Sequence, residues 1–379
     1  MQQESMGKIE LSLPSEQYFS PEAYREEMDT FFHNRWIAIG RADEIEHPAD
    51  FITRQIGDRS IVVTKNKSGD LRAFYNTCRH RGATLCSAPH GKLKGAFICP
   101  YHAWSFDLDG NLRGTPNMKT AENFDRKDYP LYSVAVDVWE GFLFANLGDK
   151  PAPLDLEFSM KREAEQFKNY GTAQLKTAAR LEYDVDCNWK LIVENFSECY
   201  HCPGVHPEWC EVMPRMKRGS AIPHVPEEYH PEKYKGGSAL AEGYRTLNWT
   251  GQTNRPQFKG LDEIQRKIII GTVAYPNLLL SFQPDYVHSQ RIMPTGPTST
   301  HMVYEWYFDI ETMAMPDFDP SDVVDMWDLV NQQDFGACIL AQRGLQNPAH
   351  KASLYVPQER GLHAFNEYIR EGLRSHHKR

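Results

Sequence analysis

The strongest constraint on this chain is a spacing: Cys78-Arg79-His80, a gap of 18 residues, then Cys99-Pro100-Tyr101-His102. Two thiols and two imidazoles in two such short stretches hold a metal only if both stretches are loops brought face to face. Two groups suit that donor set. One is an iron–sulfur cluster with thiolates on one iron and neutral imidazoles on the other; the other is a structural zinc with mixed ligands. Zinc loops usually open Cys-x-x-Cys, so the Cys-x-His opening favours the cluster. The surroundings suit a rigid β frame. Short β-type runs (Ile37–Ile39, Ile61–Thr64, Ala73–Tyr75, Phe97–Cys99, Phe142–Ala145) are broken by turn residues. Ser105–Leu112 reads as a hairpin around Asp109-Gly110. Cys86 reads as a plain thiol.

A second constellation lies between Asn188 and Pro207. The spacing predicts a helix over 189–202, on which Asn195, Glu198 and His201 stand at i, i+3 and i+6 and share a face. Pro203-Gly204 ends it and lets His206 swing back beside His201. Two imidazoles and one carboxylate form a facial triad that leaves neighbouring positions on Fe(II) open. The carboxylate has to come from a distance. A second helix, predicted from Pro320-Ser321 to about Arg343, offers Asp322, Asp325, Asp328 and Asp334, and spacing does not choose among them. Cys199 and Cys202, three apart in the same stretch, are a weak zinc signal.

The remaining pattern predicts a helix over 21–33, capped by Ser20 with Pro21 at its first position, and another over 157–170. Residues 210–262, rich in Gly, Pro and charge, read as loops covering something. Four β-type runs follow (Lys267–Val273, Leu278–Phe282, Val287–Met293, Met302–Ile310) and predict an antiparallel sheet. Helices on such a sheet make an α+β domain.

Cys78-Arg79-His80-Arg81-Gly82 and Cys99-Pro100-Tyr101-His102-Ala103-Trp104, together with the His201/His206 stretch and an Asp-bearing helix running on to Cys338 and Gln342-Arg343-Gly344, resemble the α-type oxygenase subunit of the Rieske non-haem iron oxygenases over nearly the whole chain. The resemblance implies an α+β protein in three parts: a helical lead-in (1–35) packed on the catalytic domain, an all-β Rieske module (36–150), and a catalytic domain of antiparallel sheet covered by helices (151–379). It implies that Cys78, His80, Cys99 and His102 hold a Rieske 2Fe–2S cluster, and that His201, His206 and Asp334 hold a mononuclear Fe(II). Arg81, Gly82, Pro100, Tyr101 and Trp104 then shape and shield the cluster loops. The resemblance also implies a homotrimer in which the cluster of one subunit serves the iron of its neighbour. By the same resemblance Glu198, with Asn195 on its face, is expected to be the bridging carboxylate, hydrogen-bonding a cluster histidine (His102 or His80) on one side and His201 on the other.

Most members carry Asp at the bridging position. Glu198, in the run Glu-Cys-Tyr-His-Cys-Pro, resembles the branch that oxidises quaternary ammonium compounds such as carnitine, glycine betaine, choline and proline betaine, by N-demethylation or C–N cleavage. Aromatic faces suit such a cation, and Tyr275, Phe282, Tyr286, Trp306 and Tyr307 are candidates. The competing reading is hydroxylation or O-demethylation of an aromatic acid anchored by Arg291 or Arg245. A non-catalytic Rieske electron carrier is a third, and the 200 and more residues beyond the Rieske stretch speak against it.

Composition trims the partner list. A net charge of −9 argues against nucleic acid. The one basic run, Arg374–Arg379, reads as a frayed end. No apolar stretch near 18 residues suggests a leader or a membrane span, so a cytoplasmic protein is expected. There is no Gly-x-Gly-x-x-Gly and no second cysteine cluster. The flavin and NAD(P)H chemistry is therefore expected on a separate ferredoxin-type reductase, leaving this chain the small-molecule substrate and O2.

Overall fold

Strand β1 (Glu10–Pro14) leads into helix α1 (Pro21–Glu27). Ser20 starts that helix by accepting hydrogen bonds from the backbone N–H groups of Glu22 and Ala23 at 3.1 and 3.2 Å. The regular helix stops at Glu27, and Met28–His33 widen into a π-type coil, so the helix expected over 21–33 is shorter than its pattern. The computed structural model describes residues 10–118, 122–155, 167–218 and 237–377. Two compact units emerge: residues 31–154, and the described residues up to Thr30 together with those from Asp155 onward.

The first unit is all β. Its strands are β2 (Ile37–Arg41), β3 (Asp50–Ile56), β4 (Arg59–Lys65), β5 (Leu71–Tyr75), β6 (His90–Lys92), β7 (Phe97–Ile98), β8 (Ser105–Phe106), β9 (Leu112–Gly114), β10 (Ser133–Trp139) and β11 (Phe142–Asn146). One sheet runs β2-β11-β10-β5-β4-β3-β6, and a small one runs β7-β8-β9. The turn between β8 and β9 closes through Gly110 N–H donating to the Asp107 carbonyl. Gly110 has φ +82°, and a Cβ there would lie 2.4 Å from the Phe74 ring, so only glycine fits. Phe74, Phe97 and Phe106 are buried beneath the turn with Cys78 and Cys99. Each such phenylalanine contributes about 1.5–3 kcal/mol, which anchors the cysteine loops to the core.

In the second unit, β12 (Lys176–Val185) is followed by three short helices: α2 (Trp189–Phe196), α3 (Cys202–Val205) and α4 (Pro207–Val212). Then come β13 (Gly237–Ala239), β14 (Ile268–Ala274), β15 (Leu278–Phe282), β16 (Val287–Gly296), β17 (Ser299–Phe308), the long helix α5 (Ser321–Leu345), β18 (Ala352–Tyr355) and α6 (Arg360–His376). The antiparallel sheet has the order β12-β17-β16-β15-β14-β13, and β1 pairs with β18. The four expected strands are present. β12 and α6 were not foreseen, and α6 replaces the frayed end over its span to His376. Of the helix expected over 157–170, residues 157–166 lie outside the described residues, and Lys168–Tyr170 make one 3-10 turn. Of the expected loop 210–262, residues 219–236 lie outside them too.

Helix α2 is locked from two sides. Lys190, fully buried, pairs with Glu27 at 2.6 Å, and Trp189 Nε1 donates to the same carboxylate at 2.8 Å. Truncating either partner would strand a buried charge, at about 3–5 kcal/mol. From α5, Gln342 accepts the Asn188 N–H at 2.8 Å and donates to the Tyr18 carbonyl at 3.1 Å.

Candidate metal centres

Cys78 and Cys99 open two loops closed in the same way. Cys78 N–H donates to Ala83 O and Gly82 N–H to Cys78 O; Cys99 N–H donates to Trp104 O and Ala103 N–H to Cys99 O. Gly82 (φ +70°) and Ala103 (φ +55°) take the left-handed conformation at matching positions. The twin turns bring His80 and His102 to a ring separation of 4.7 Å, and His80 stacks on the buried Trp104 at 4.9 Å. His102 Nδ1 is buried without a hydrogen-bond partner. Burial, aided by His80 and Arg81, holds His102 below the ordinary histidine range, which favours the neutral ring that a metal needs. Burial and then the neighbouring Cys99 push the Cys78 thiol up, so thiolate forms there only against a cation. An orphaned imidazole nitrogen beside two buried thiols fits an iron–sulfur cluster. Cys86 is a buried thiol pushed up to about 11 by desolvation, as plain as expected.

The second group assembles differently from its sequence reading. Helix α2 ends at Phe196, not at Cys202. Ser197 Oγ donates back to the Val193 carbonyl, and the Glu198 carboxylate takes the N–H groups of Tyr200 and His201. Those donors would otherwise have continued the helix. Asn195, Glu198 and His201 still line one cavity, through a turn rather than a helical face. Pro203-Gly204 opens the one-turn helix α3 instead of breaking a longer one, and the chain reverses at His206. Cys199 and Cys202 are joined by a disulfide.

His201 Nε2 and His206 Nε2 both face Asp334 Oδ1, at 3.2 and 2.8 Å. The ligand atoms of these three residues lie within 4.8 Å of one another, the one such group found among the described residues. Of the rival aspartates on α5, Asp322 pairs with Arg255 at 2.7 Å, Asp328 accepts from the Tyr183 hydroxyl at 2.6 Å, and Asp325 is exposed. The far nitrogens are also engaged: His201 Nδ1 meets Glu198 Oε1 at 2.5 Å, and His206 Nδ1 meets Gln333 Oε1 at 2.8 Å. Burial pushes Asp334 up, but hydrogen bonds from both imidazoles win and hold it below the usual carboxylate range. Desolvation opposes charge on His201, yet its bonds to Asp334 and Glu198 push it up to about 9. Two imidazoles converging on one carboxylate oxygen fit a divalent ion in place of the shared protons.

A cavity of about 280 Å³ adjoins this group. Its walls include Phe196, Trp209 and Trp327, with Ser281 and Gly271 from the sheet. Trp209 and Trp327 sit 5.2 Å apart, and Trp327 Nε1 donates to the Tyr286 hydroxyl at 3.0 Å. None of the five aromatics singled out from the sequence lines it. Tyr275 stacks on Tyr368, Phe282 on Phe167, and Trp306 on His288, while the hydroxyls of Tyr286 and Tyr307 serve buried polar partners. The signal for Trp327 was available: it stands seven residues, two helical turns, before Asp334, with Val330 between.

Residues 172–375 match the ring hydroxylating alpha subunit (catalytic domain) family, and residues 35–129 match the Rieske [2Fe-2S] domain. The glycine betaine monooxygenase oxygenase subunit of Chromohalobacter salexigens is 29% identical over 366 residues, 91% of this chain and 81% of that one. The carnitine monooxygenase oxygenase subunit of Acinetobacter pittii is 26% identical, with 97% and 95% covered. The solved structure of the quaternary ammonium Rieske monooxygenase CntA with L-carnitine has the same fold, at TM-score 0.75, 23% identity and 96% of both chains.

Proposed function

We propose, for a chain that belongs to the ring hydroxylating alpha subunit family and carries a Rieske domain ahead of its catalytic domain, that its substrate is a small quaternary ammonium compound of the betaine type. The protein is an oxidoreductase with a Rieske 2Fe–2S cluster and a mononuclear iron. The observation that carries the substrate reading is the cavity wall. Trp209, Trp327 and Phe196 line it, its charged residues are carboxylates or histidines, and no Lys or Arg stands among the described lining residues. Such a wall favours a cation that cannot donate hydrogen bonds, held by ring faces at about 0.5–2 kcal/mol each. The relatives named for glycine betaine and carnitine fall in the same class. An aromatic acid lacks its anchor: Arg291 is buried against Glu305 at 3.4 Å, and Arg245 is not among the lining residues.

In this reading Cys78, His80, Cys99 and His102 hold the cluster, and His201, His206 and Asp334 hold the iron. Iron(II) held there would supply dioxygen activation. The chain supplies the rest. Glu198 fixes His201 by its Nδ1 and offers the path along which electrons arrive. Asn195 and Glu198 give the cavity a polar edge beside the triad, and the tryptophans keep water from the substrate's methyl groups. Hydroxylation of an N-methyl carbon yields a hemiaminal that collapses to formaldehyde and a demethylated amine. Electrons come from a separate reductase, which we take to be NAD(P)H-dependent. We also propose a homotrimer with transfer between subunits. We also propose a cytoplasmic setting, where NAD(P)H is supplied to the reductase.

The test is a paired screen. The purified protein, with a competent reductase and NAD(P)H, is offered glycine betaine, carnitine, choline, proline betaine and a panel of aromatic acids, while oxygen uptake and formaldehyde are followed. Coupled uptake with a quaternary ammonium compound is expected. Product from an aromatic acid alone would overturn the reading.

A further inference from the structure

The two imidazoles that face Asp334 are oriented by different means. His201 leans on the Glu198 carboxylate directly. His206 leans on a neutral amide: its Nδ1 lies 2.8 Å from Gln333 Oε1, and Gln333 Nε2 lies 3.2 Å from Glu208 Oε2. A carboxylate only accepts, so the Gln333 amide has to turn its NH2 toward Glu208 and its oxygen toward His206. That oxygen accepts, so His206 Nδ1 carries the hydrogen. Nε2, 2.8 Å from Asp334 Oδ1, is then the nitrogen at which a metal ion would replace the shared proton.

We propose that Gln333 is a positioning residue for the mononuclear iron: oriented by Glu208, it locks His206 in the tautomer and ring angle that aim Nε2 at the metal. This rests on His206 being an iron ligand. The geometry gives the relay a distinct purpose. Glu198 both holds His201 and, in the proposed cycle, faces a neighbouring cluster, so His201 is coupled to whatever reaches Glu198. His206 is anchored independently, by α4 and α5 alone. Gln333 is adjacent in sequence to Asp334, so one turn of α5 presents a ligand and orients another.

The experiment uses the full chain with its cluster intact and its mononuclear iron removed by chelation. Fe(II) is titrated back without oxygen, and bound iron is counted by the electron paramagnetic resonance of its nitric oxide adduct. Gln333→Leu should weaken Fe(II) binding about 10- to 100-fold with the cluster's visible absorption unchanged. Gln333→Glu alone sets two carboxylates face to face and should also weaken it. Combining it with Glu208→Gln reverses the polarity of the pair: the new carboxylate accepts from His206, and the new amide donates to that carboxylate. Affinity should then return to within about threefold of the parent, a non-additivity that shared packing alone does not give. A Gln333→Leu protein that binds Fe(II) like the parent, or a double variant no better than its worse single, would overturn the proposal. His206→Ala separates the two levels: full iron binding there would sink the ligand assignment itself.

Discussion

Glu198 does two jobs with its two oxygens. Oε1 meets His201 Nδ1, and Oε2 accepts the N–H groups of Tyr200 and His201. Glu198→Gln keeps an oxygen for one job and removes the charge from the other. It should leave cluster and iron bound while coupled turnover falls about 10- to 100-fold. Metal analysis beside the ratio of product to oxygen consumed checks this, and unchanged coupling would contradict a bridging role. The histidines divide the same way. His201→Ala or His206→Ala should empty only the mononuclear site, and His80→Ala or His102→Ala should bleach only the cluster's visible absorption. At this scale the sequence was most informative, because donor type and spacing are written residue by residue. Asp334 could not be chosen that way. What distinguishes it from Asp322 and Asp328 is that Arg255 and Tyr183 already occupy those two, and such partners are known only once the chain has folded.

Among the elements, β14 and β15 were readable as apolar runs bounded by turns, and β16 and β17 as β-type runs of mixed polarity between turn residues. β12 escaped because its pattern, Lys-Thr-Ala-Ala-Arg-Leu-Glu-Tyr-Asp-Val, is mostly half-buried and polar. Helix α6 carries a core face at helical spacing (Leu362, Phe365, Ile369, Leu373) that the basic run behind it obscured. The end of α2 was misread because helix propensity says nothing of a glutamate side chain that captures the N–H groups two and three residues on. The sheet also holds an unforeseen strain. His288 on β16 lies opposite Ser281 and Trp306, stacked on Trp306 and tilted against Trp327, with neither ring nitrogen hydrogen-bonded. Burial pushes it down to about 3, whereas in the unfolded chain a histidine titrates near 6.5. The unfolded state therefore takes up a proton that the native state refuses. Stability should fall as pH drops from about 6.5 toward 3, by about 1.4 kcal/mol per pH unit from this residue. Urea unfolding of the parent and of His288→Phe at pH 7 and pH 5 measures it. The parent should lose about 2 kcal/mol more than the variant, and equal losses would refute the account.

Across the whole molecule, the proposed transfer between chains makes a prediction that no single-chain scheme shares. A His80→Ala chain lacks a working cluster, and a His206→Ala chain lacks a working iron. Each alone should be inactive. Co-expressed in one cell, they should recover a fraction of parental turnover, because a good cluster on one chain can serve a good iron on the next. Recovery indistinguishable from zero in a verified mixed assembly would confine the electrons to one polypeptide.

Asp334 lies 128 residues beyond His206, with five strands of the sheet between them, so an ion held by both would also close a loop of that length in the polypeptide. Closing so long a loop restrains many backbone configurations at once. Stripped of iron but not of its cluster, the protein should exchange amide hydrogens for deuterium faster in 197–206 and along the middle of α5, while β14 to β17 keep their protection. The catalytic ion would then be a clasp as well as a reagent, and starving a cell of iron would loosen the protein before it unfolded.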